Sequence, residues 1–565
     1  MTEETSNHAL NSGVLATSSV LVALGVAGAL NLFASQLYMR VDLTANKIYT
    51  LHEASREAVG ALEEPMQVRV FVSPDMPPPF HTLSSQISDI LTEYRAASKG
   101  KLSFEIIEPT DDAAVEEDAR GYGCEKVAIG QQNENEVSLR AVYKCVAFLQ
   151  GDRQEVIEDL RTSGNPASEN FEFSFTRAIL NLKANDEPAR KVGFVSGYGG
   201  PAAQQGFGDS LKQPFSQLYG NLVEPTIVDL SADDAEISED ITALVLLGPT
   251  EPFEERSIFL LDQFVRRGGS IAWMQSSSTV DRQLQQQLMQ QMGAQNRRIP
   301  EIKRPVDTGL NPLFATWGVT HNGDFVLDRA HGMSMGFVMT QQGLAQISNP
   351  ATFQITKIDR SLPFLSNLPP MALPAPASLT ITDGARDNPE VRVYEALVSA
   401  PEATARPEPP TNFDYDALVQ PTPDETPGPF VLAAALEGNF PSYYDEHPLP
   451  DGITEAQLVE RSPEPGRIFV LGSGDFFFPQ EQMGYSGQLA SLGQELLFGV
   501  IDWVAQDSAL SKIRSKTLPT LVGEVEKGTQ RRIQFINIAL VPALFALMGF
   551  GRRPRRRGRR ANIEL

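Results

Sequence analysis

The chain carries an apolar, uncharged run near each end, and each run is long enough for a membrane-spanning helix. The first covers residues 14–34, broken only by three hydroxyl residues and one asparagine, and the second covers residues 533–550. Uncharged apolar runs of this length cross about 30 Å of hydrocarbon as a helix. We therefore predict two transmembrane helices. The alternative for the first run is a cleaved signal peptide, and the alternative for the second is a buried core helix. The leader contains Glu3 and Glu4 and no basic residue, which argues against a signal peptide.

The polar residues beside these runs predict their orientation. Seven arginines lie in the last fifteen residues, directly after the second run. A basic run against an apolar span marks the cytoplasmic side of a membrane. Two crossings then place both termini in the cytoplasm and the bulk of the chain outside. The segments that we expect are a cytoplasmic N-terminus (1–13), a first transmembrane helix (14–34), two periplasmic domains (35–187 and 188–515), a linker (516–532), a second transmembrane helix (533–550) and a basic cytoplasmic tail (551–565).

The first domain has the element order of a thioredoxin-like fold. Apolar residues alternate in 65–73, recur at helical spacing in 84–98 and alternate again in 101–109. A hairpin around the polar stretch QQNENE and a helix at 169–184 follow. The order β-α-β and then β-β-α is that of a thioredoxin-like domain. No CxxC motif is present, which favours a scaffold or binding use over redox chemistry.

The second domain alternates short buried strands with amphipathic helices, the pattern of a mostly parallel α/β sheet. The helix at 254–269 is ended by Gly268 and Gly269. Residues 401–429 are rich in proline and acidic residues, and we interpret them as a surface excursion that is flexible or covers a partner. The other predicted elements of this domain are strands at 191–197, 226–230, 241–249, 270–275, 392–400, 430–438 and 467–477 and a closing helix at 493–513.

Composition and charge narrow the function. The 565-residue chain has a net charge of −24, which argues against nucleic-acid binding because phosphates need a basic face. Its two cysteines, Cys124 and Cys145, flank the predicted hairpin, and two paired strands can bring cysteines to disulfide distance. We expect a structural disulfide in an oxidising periplasm. The alternative is a pair of buried thiols.

Motifs for catalysis are absent. The chain has no Walker loop, nucleophile elbow, HExxH or EF-hand sequence. The loop Gly197, Tyr198, Gly199 and Gly200 follows a strand, where an open α/β sheet can bind ligands, and Asp475 follows another. These five residues are the candidate ligand site, and a tight turn is the simpler interpretation of each loop. A further group contains zinc-ligand types without the spacing of a known zinc motif, so we expect no metal site and no cofactor. That group is His321, Asp324, Asp328 and His331.

The order of several segments resembles the GldG-type auxiliary components of ABC transport systems, a family first named for gliding motility. His52 stands where the family usually has serine, and Glu108-Pro109 replaces an Asp-Pro turn. Each segment alone is weak evidence for the family, but the order of the segments between two flanking apolar helices is specific to it. The matching segments are residues 40–73, 91–111, 170–182, 191–200, 244–249, 264–274, 501–517 and 536–557.

The resemblance implies a fold and a role. The larger domain would be amidotransferase-like (flavodoxin-like) without the nucleophile, because both cysteines precede residue 146. The expected fold class is α/β, with two transmembrane helices flanking a thioredoxin-like domain and this larger domain. The chain would be a non-catalytic subunit in the bacterial inner membrane that assembles with an ABC-2-type permease and a separate cytoplasmic ATPase, contacts membrane lipid, and presents its periplasmic domains to a substrate or envelope partner.

Two other functions stay open from the residues. One is a stand-alone, membrane-anchored binding protein for a carbohydrate or peptide. The other is a hydrolase of an unrecognised type, which the absence of a paired nucleophile and base argues against.

Overall fold

The computed structural model describes most of the chain between residues 50 and 505, and all elements below belong to one compact unit within Leu51–Leu565. Both predicted transmembrane helices, 14–34 and 533–550, lie outside the described residues, as do the linker and the basic tail. The described residues are 50–74, 76–77, 80–109, 113–133, 136–158, 160, 171–184, 189–292, 302–340, 343–366, 368–410, 418–474 and 487–505.

The N-terminal part is a four-stranded sheet with helices. Its sheet order is β2-β1-β5-β6, in which β2 is parallel to β1 and the other neighbours are antiparallel. Its elements in chain order are α1 (Glu53–Gly60), β1 (Met66–Val72), α2 (Leu83–Ala97), β2 (Leu102–Ile107), α3 (Ala113–Gly121), β3 (Val127–Asn133), β4 (Glu136–Val142), β5 (Lys144–Gln150), β6 (Arg153–Ile157) and α4 (Phe171–Ala184).

The apolar faces of these elements form one core. Helix α2 buries Ile87, Leu91 and Tyr94 at helical spacing, and they pack with Val68 and Val70 of β1. The two final strands of the four-stranded sheet are β5 and β6, joined by a turn at Gly151. The predicted hairpin, β3 and β4, is instead a separate two-stranded sheet.

The disulfide joins Cys124 to Cys145, as predicted, but not across the hairpin. Cys124 lies in the turn after α3, where its N–H donates to Ala119 O, and Cys145 lies in β5 beside β1. The pair is buried with Phe71 and Tyr143. The predicted pairing of the two cysteines across the β3–β4 hairpin was wrong. Cys124 precedes β3, and Cys145 lies after β4, in strand β5 of the four-stranded sheet.

Removing this disulfide should lower stability. Replacing both Cys124 and Cys145 by serine is expected to reduce the free energy of unfolding by about 3 kcal/mol, since the cross-link restricts the unfolded chain. Denaturant unfolding of the detergent-solubilised full chain measures the change, and wild-type protein with reductant is the control. Labelling of both wild-type thiols by a maleimide without reductant would contradict the assignment.

The larger part is built on a ten-stranded sheet. Its elements begin with β7 (Arg190–Ser196), α5 (Phe207–Tyr219), β8 (Val223–Asp229), β9 (Ile241–Leu247), α6 (Glu255–Arg266), β10 (Ser270–Met274), β11 (Ser278–Val280), α7 (Arg282–Met292), β12 (Lys303–Pro305), α8 (Asn311–Trp317), β13 (Val319–His321), β14 (Phe325–Leu327), β15 (Gly332–Thr340) and β16 (Gly343–Gln354). They continue with β17 (Lys357–Ile358), β18 (Ala372–Pro374), β19 (Leu379–Ile381), α9 (Asp383–Asp387), β20 (Val391–Val398), β21 (Thr404–Arg406), β22 (Thr426–Pro427), β23 (Val431–Gly438), β24 (Gly466–Leu471) and α10 (Gly487–Val504).

Half of this sheet is parallel and half is antiparallel. The strands β8, β7, β9, β10 and β24 lie side by side and are parallel, so in chain order they are arranged 2-1-3-4-5. Strand β23 then pairs antiparallel with β24, and β13, β17, β19 and β20 complete the antiparallel half. The prediction of a mostly parallel sheet is therefore correct only for the first half.

Helices cover both faces of the parallel half. Alternate residues of β10 explain this, because Ala272 and Met274 pack in the core under α5 and α10, whereas Ile271 and Trp273 pack under α6 and α8. A strand buried on both faces has a continuous apolar sequence. The result is a three-layer arrangement, with the sheet between two layers of helices. The helices cover both faces of the parallel half, so a ligand would bind at the loops at the strand ends.

The proline-rich segment 401–429 is anchored to the chain itself where the structure describes it. Strands β21 and β22 join β14 in a small three-stranded sheet, and Leu418 is buried. The prediction of a flexible excursion is therefore wrong for these residues, whereas contact of this segment with a partner stays a prediction. Residues 411–417 lie outside the described part.

Candidate functional site

The loop after β7 lies at the point where the 2-1-3-4-5 order reverses direction, between β7 and β9. In such sheets ligands bind outside the carboxyl ends of the strands at this point. Tyr198 is buried here and stacks on Phe253, with ring centroids 3.9 Å apart. Its hydroxyl shares a 2.7 Å hydrogen bond with Ser257 Oγ, and its carbonyl accepts the Thr250 N–H at 2.9 Å. Tyr198 therefore joins the β7 and β9 loops.

The three glycines of this loop have positive φ angles and lie against neighbouring loops. The φ angles are +97° at Gly197, +73° at Gly199 and +73° at Gly200. A Cβ on Gly199 would lie 2.1 Å from Thr250 Oγ1, and one on Gly200 would lie 2.5 Å from Gly248 O. Backbone conformation and close packing thus account for both glycines without a ligand.

The loops after β9, β10 and β24 meet at the same edge. Gly248 N–H donates to Met274 O at 2.8 Å, and Gly474 N–H donates to Ser276 Oγ at 2.8 Å. A Cβ on Gly474 would lie 2.8 Å from Gly248 Cα. Asp475 follows Gly474 directly but lies outside the described residues. The structure thus brings Gly474 to the β9 loop.

Two further polar groups at this edge were not among the residues predicted from the sequence. Gln275 and Ser277 follow β10 and are buried, and their Oε1 and Oγ atoms have no hydrogen-bond partner in the described part of the chain. Leaving a buried polar atom unpaired costs about 1–3 kcal/mol, so such atoms are uncommon in native structures. The run of polar residues at 275–278, directly after a buried strand, was the signal that could have identified them.

His321 lies beside this edge as a neutral, buried side chain. Its Nε2 is 3.0 Å from Gln275 O, and its Nδ1 accepts the Gly323 N–H at 3.1 Å. These partners require the proton on Nε2. Burial lowers the pKa of His321 to about 4, although the hydrogen bond to Gln275 O opposes this shift. His321 therefore has a structural hydrogen-bonding role at neutral pH.

The depressed pKa of His321 predicts a loss of stability in weak acid. The unfolded histidine, with a pKa near 6.5, binds a proton below that pH, and the folded one does not until about pH 4. Stability should therefore fall by about 2 kcal/mol between pH 7.5 and pH 5 through this group. Denaturant unfolding at both pH values measures this effect. The free energy of unfolding of His321→Gln should change less between the two pH values than that of wild type, whereas the surface variant His447→Gln should show the same change as wild type. An unchanged dependence in His321→Gln would contradict the assignment.

The other members of the histidine and aspartate group have local partners. Asp324 accepts hydrogen bonds from Ser378 N at 2.7 Å and Ser378 Oγ at 2.6 Å, and burial raises its pKa. His331 Nδ1 lies 2.9 Å from the buried Asp328 carboxylate. Within the described ranges, no three histidine, cysteine, aspartate or glutamate side chains are grouped as metal ligands.

Comparison with known proteins identifies the family. Residues 189–498, more than half of the chain, match the family model described as an ABC-type uncharacterized transport system. The chain belongs to this family of auxiliary ABC transport components. Residues 45–148 also match a domain of unknown function. Family membership gives the chain an accessory role in an ABC transport system and agrees with a non-enzymatic function.

Individual relatives are distant. An uncharacterized protein of Borreliella burgdorferi is 21% identical over 528 residues, covering 92% of this chain and 93% of that protein. Two solved structures each align with 56% of this chain. The N-terminal domain of mmIFT52 is 13% identical with a TM-score of 0.29 over 98% of its length, and a ThuA-like protein from Bacteroides uniformis is 12% identical with a TM-score of 0.24 over 92%. At these TM-scores, neither structure supports a statement about this chain.

The helices that the structure describes include none that is both long and apolar enough to cross a membrane. The two runs predicted to span the membrane, 14–34 and 533–550, are not among the described residues.

Proposed function

We propose that the chain is a non-catalytic accessory subunit of an ABC transporter in the bacterial inner membrane. It would assemble with an ABC-2-type permease and a separate cytoplasmic ATPase, as in the GldG-type systems that it resembles. The family match over residues 189–498 carries this proposal. Helices at 14–34 and 533–550 would anchor the chain, with both termini in the cytoplasm and the two α/β domains in the periplasm.

The strand orders support the proposed domain types. The order β2-β1-β5-β6, with a parallel first pair, is the order expected for the thioredoxin-like domain. The parallel order 2-1-3-4-5 is that of flavodoxin-like folds, as proposed for the amidotransferase-like domain. The Cys124–Cys145 disulfide supports a periplasmic location, because disulfides persist in oxidising compartments.

The candidate edge supports a non-catalytic role. Enzymes of this layout place reactive groups at the carboxyl ends of the strands. Here Tyr198 and the adjacent glycines join neighbouring loops, and His321 is buried and neutral. Both cysteines of the chain are in the other domain and form the disulfide.

Co-purification tests the proposal. The tagged full chain, expressed in its native host and extracted in mild detergent, is expected to retain an ABC-2-type permease and an ATPase subunit in near-stoichiometric amounts. An unrelated two-pass inner-membrane protein with the same tag is the control. Recovery of the chain without either subunit would refute the proposal.

The alternative is a stand-alone binding protein for a carbohydrate or peptide. Gln275 Oε1 and Ser277 Oγ, which have no hydrogen-bond partner in the described part of the chain, favour it, because they could bind a neutral polar ligand at the edge that includes Gly197–Gly200. Asp475 stays a predicted member of that site. Isothermal titration with N-acetylglucosamine and with dialanine tests it. Saturable binding by the solitary chain, weakened by Ser277→Ala, would support this function over the first.

A further inference from the structure

Helix α4 contacts both the N-terminal part and the larger part of the described chain. One of its faces belongs to the core of the N-terminal part, with the buried residues Phe175, Ala178, Ile179 and Leu182. The opposite face carries Phe173, Arg177 and Asn181, each one helical turn apart, and lies against the last turn of α5 and the residues after it. We call this contact, between the second face of α4 and residues 217–222, the seam.

Hydrogen bonds also tie α4 to helices α1 and α2 of the N-terminal part. The Tyr94 hydroxyl of α2 donates to Glu172 O at 2.9 Å and lies 2.5 Å from Thr176 Oγ1. Thr176 Oγ1 also contacts Ser55 Oγ of α1 at 3.0 Å. The His52 N–H, directly before α1, donates to Glu172 Oε1. Core packing and these hydrogen bonds together hold α4 in the N-terminal part.

Arg177 places a buried positive charge at the seam. Its Nη1 donates to Gln217 O in the last turn of α5, where the negative end of the helix dipole favours a cation. Its Nε has no hydrogen-bond partner in the described part of the chain, and the residue is 9% exposed. Burial lowers the pKa of Arg177, and the charge of Glu155 only partly opposes this shift. Desolvation therefore destabilises the cation more than its neighbours stabilise it, so the charge is more stable in water than at the closed seam.

Asn181, one turn further along α4, is a second unfavourable polar group at the seam. Its Nδ2 donates to Glu155 Oε1 at 2.9 Å, but its buried Oδ1 has no hydrogen-bond partner among the described residues. Gly220, which ends α5 with a φ of +59°, approaches so closely that an added Cβ would overlap the Asn181 amide. Buried polar atoms without partners are destabilising because water would satisfy them. Hydration of the seam would therefore stabilise both Arg177 and Asn181.

The apolar packing that the structure describes at the seam is a small cluster around Phe173. Leu180 of α4, Leu222 of the larger part and Ala54 of α1 pack against this ring, and all three are only partly buried. Interfaces between domains allow relative motion unless they are large and hydrophobic. The seam combines a small apolar cluster with a buried charge and two unpaired polar atoms. It therefore holds the two parts together more weakly than either core holds its own elements.

We propose that the chain opens at the seam, with α4 moving as one body with the N-terminal part and separating from the C-terminal end of α5. In the closed form Phe173 is buried, and in the open form water hydrates Arg177 Nε and Asn181 Oδ1. The two parts thus change their relative orientation while both cores stay intact. This opening is a property of the chain by itself and does not rest on the partner subunits of the proposed function.

Distances between spin labels test the opening in the detergent-solubilised full chain without partner subunits. Both native cysteines are in the disulfide, so only introduced cysteines are labelled. Lys183→Cys on α4 and Gln213→Cys on α5 replace exposed side chains on the two sides of the seam. Double electron–electron resonance is expected to show two distances for this pair, one for each form. Glu57→Cys with Lys183→Cys, within the N-terminal part, should give one distance. A single distance across the seam, or two within the N-terminal part, would overturn the proposal.

Removing the charge gives a second test. Arg177→Met keeps a long side chain that needs no hydration, so it is expected to reduce the fraction of the open form by about fivefold or more. Arg267→Met is the matched control, because Arg267 also donates to backbone carbonyls and burial also lowers its pKa, but it lies within the larger part. This control should keep the wild-type fraction.

An open fraction that is unchanged or larger in Arg177→Met would contradict the unfavourable charge at the seam and overturn the proposal. If this variant does not fold, the wild-type distances decide the proposal by themselves.

Discussion

Replacing Gly200 by alanine is expected to destabilise the chain by about 3–5 kcal/mol. Gly200 has φ 73° and ψ −173°, a conformation that is almost confined to glycine and costs about 1–3 kcal/mol in other residues. The added Cβ would also lie 2.5 Å from Gly248 O and 2.7 Å from Leu247 O. These are backbone atoms of the strand–loop junction after β9, and they cannot rotate away. Overpacking of this kind adds about 1–3 kcal/mol.

Gly206→Ala is the matched control for this prediction. Gly206 also has a positive φ, 84°, but nothing lies within 4 Å of the place that its Cβ would occupy. Only the left-handed backbone strain then remains, about 1–2 kcal/mol. Denaturant unfolding of the detergent-solubilised full chain measures both variants. Equal losses in the two would show that the β7 and β9 loops are not packed together as described. A stable Gly200→Ala protein that had lost ligand binding would instead support a ligand loop.

Replacing Glu425 by glutamine should cost a similar amount, about 3–5 kcal/mol, by leaving two arginines without their shared carboxylate. Arg329 donates to both carboxylate oxygens, at 2.8 and 2.9 Å, and Arg406 Nε donates at 2.9 Å. The Glu425 side chain is 4% exposed and that of Arg406 is 8% exposed. Thr404 Oγ1 donates to the same carboxylate at 2.7 Å. This cluster joins two parts of the proline-rich segment, β21 and Glu425, to Arg329, which follows β14.

The pH dependence of this cluster gives a second readout. Burial would raise the pKa of Glu425, but hydrogen bonds from Arg329, Thr404, Arg406 and the Thr422 N–H together lower it to about 2. In the unfolded chain the carboxyl titrates near 4.5, so the unfolded state binds more protons between pH 4.5 and pH 2. The stability from Glu425 is therefore fully present above pH 4.5 and is lost as the pH falls toward 2.

Denaturant unfolding of wild type and Glu425→Gln at pH 7 and at pH 3 measures this effect. The difference in the free energy of unfolding between the two proteins should be smaller at pH 3 than at pH 7. The control is Glu390→Gln, which removes an exposed ion pair with Arg461 and should cost less than about 1 kcal/mol. A difference between wild type and Glu425→Gln that does not change with pH would contradict the shared-carboxylate interpretation.

The elements with strong local periodicity could be predicted from the sequence. Strands β7, β9 and β10 and helices α2, α4 and α6 lie where the apolar pattern places them, because each pattern reflects burial of one local segment. The family followed from the order of such segments, and the match over residues 189–498 bears out the auxiliary ABC transport assignment. The specific GldG-type naming and the two-pass topology stay predictions.

The candidate site could be predicted only in part. The glycines after β7 were found because glycine after a buried strand is a local signal. Their close contacts with Thr250 and Gly248, and the buried Gln275 and Ser277, depend on loops that are distant in sequence and adjacent in the sheet. The pattern of hydrophobic and polar residues along the sequence does not predict these contacts.

The sequence by itself determined the segments: which stretches are strands, which are amphipathic helices, where charge is concentrated and which family the chain belongs to. Only the tertiary structure decided how they combine. It made half of the large sheet antiparallel, placed Cys124 in a turn rather than a strand, and paired Glu425 with Arg329, 96 residues away. The physical reason is that periodicity is set by the environment of neighbouring residues, whereas strand register and buried ion pairs depend on which distant segments come to share one core.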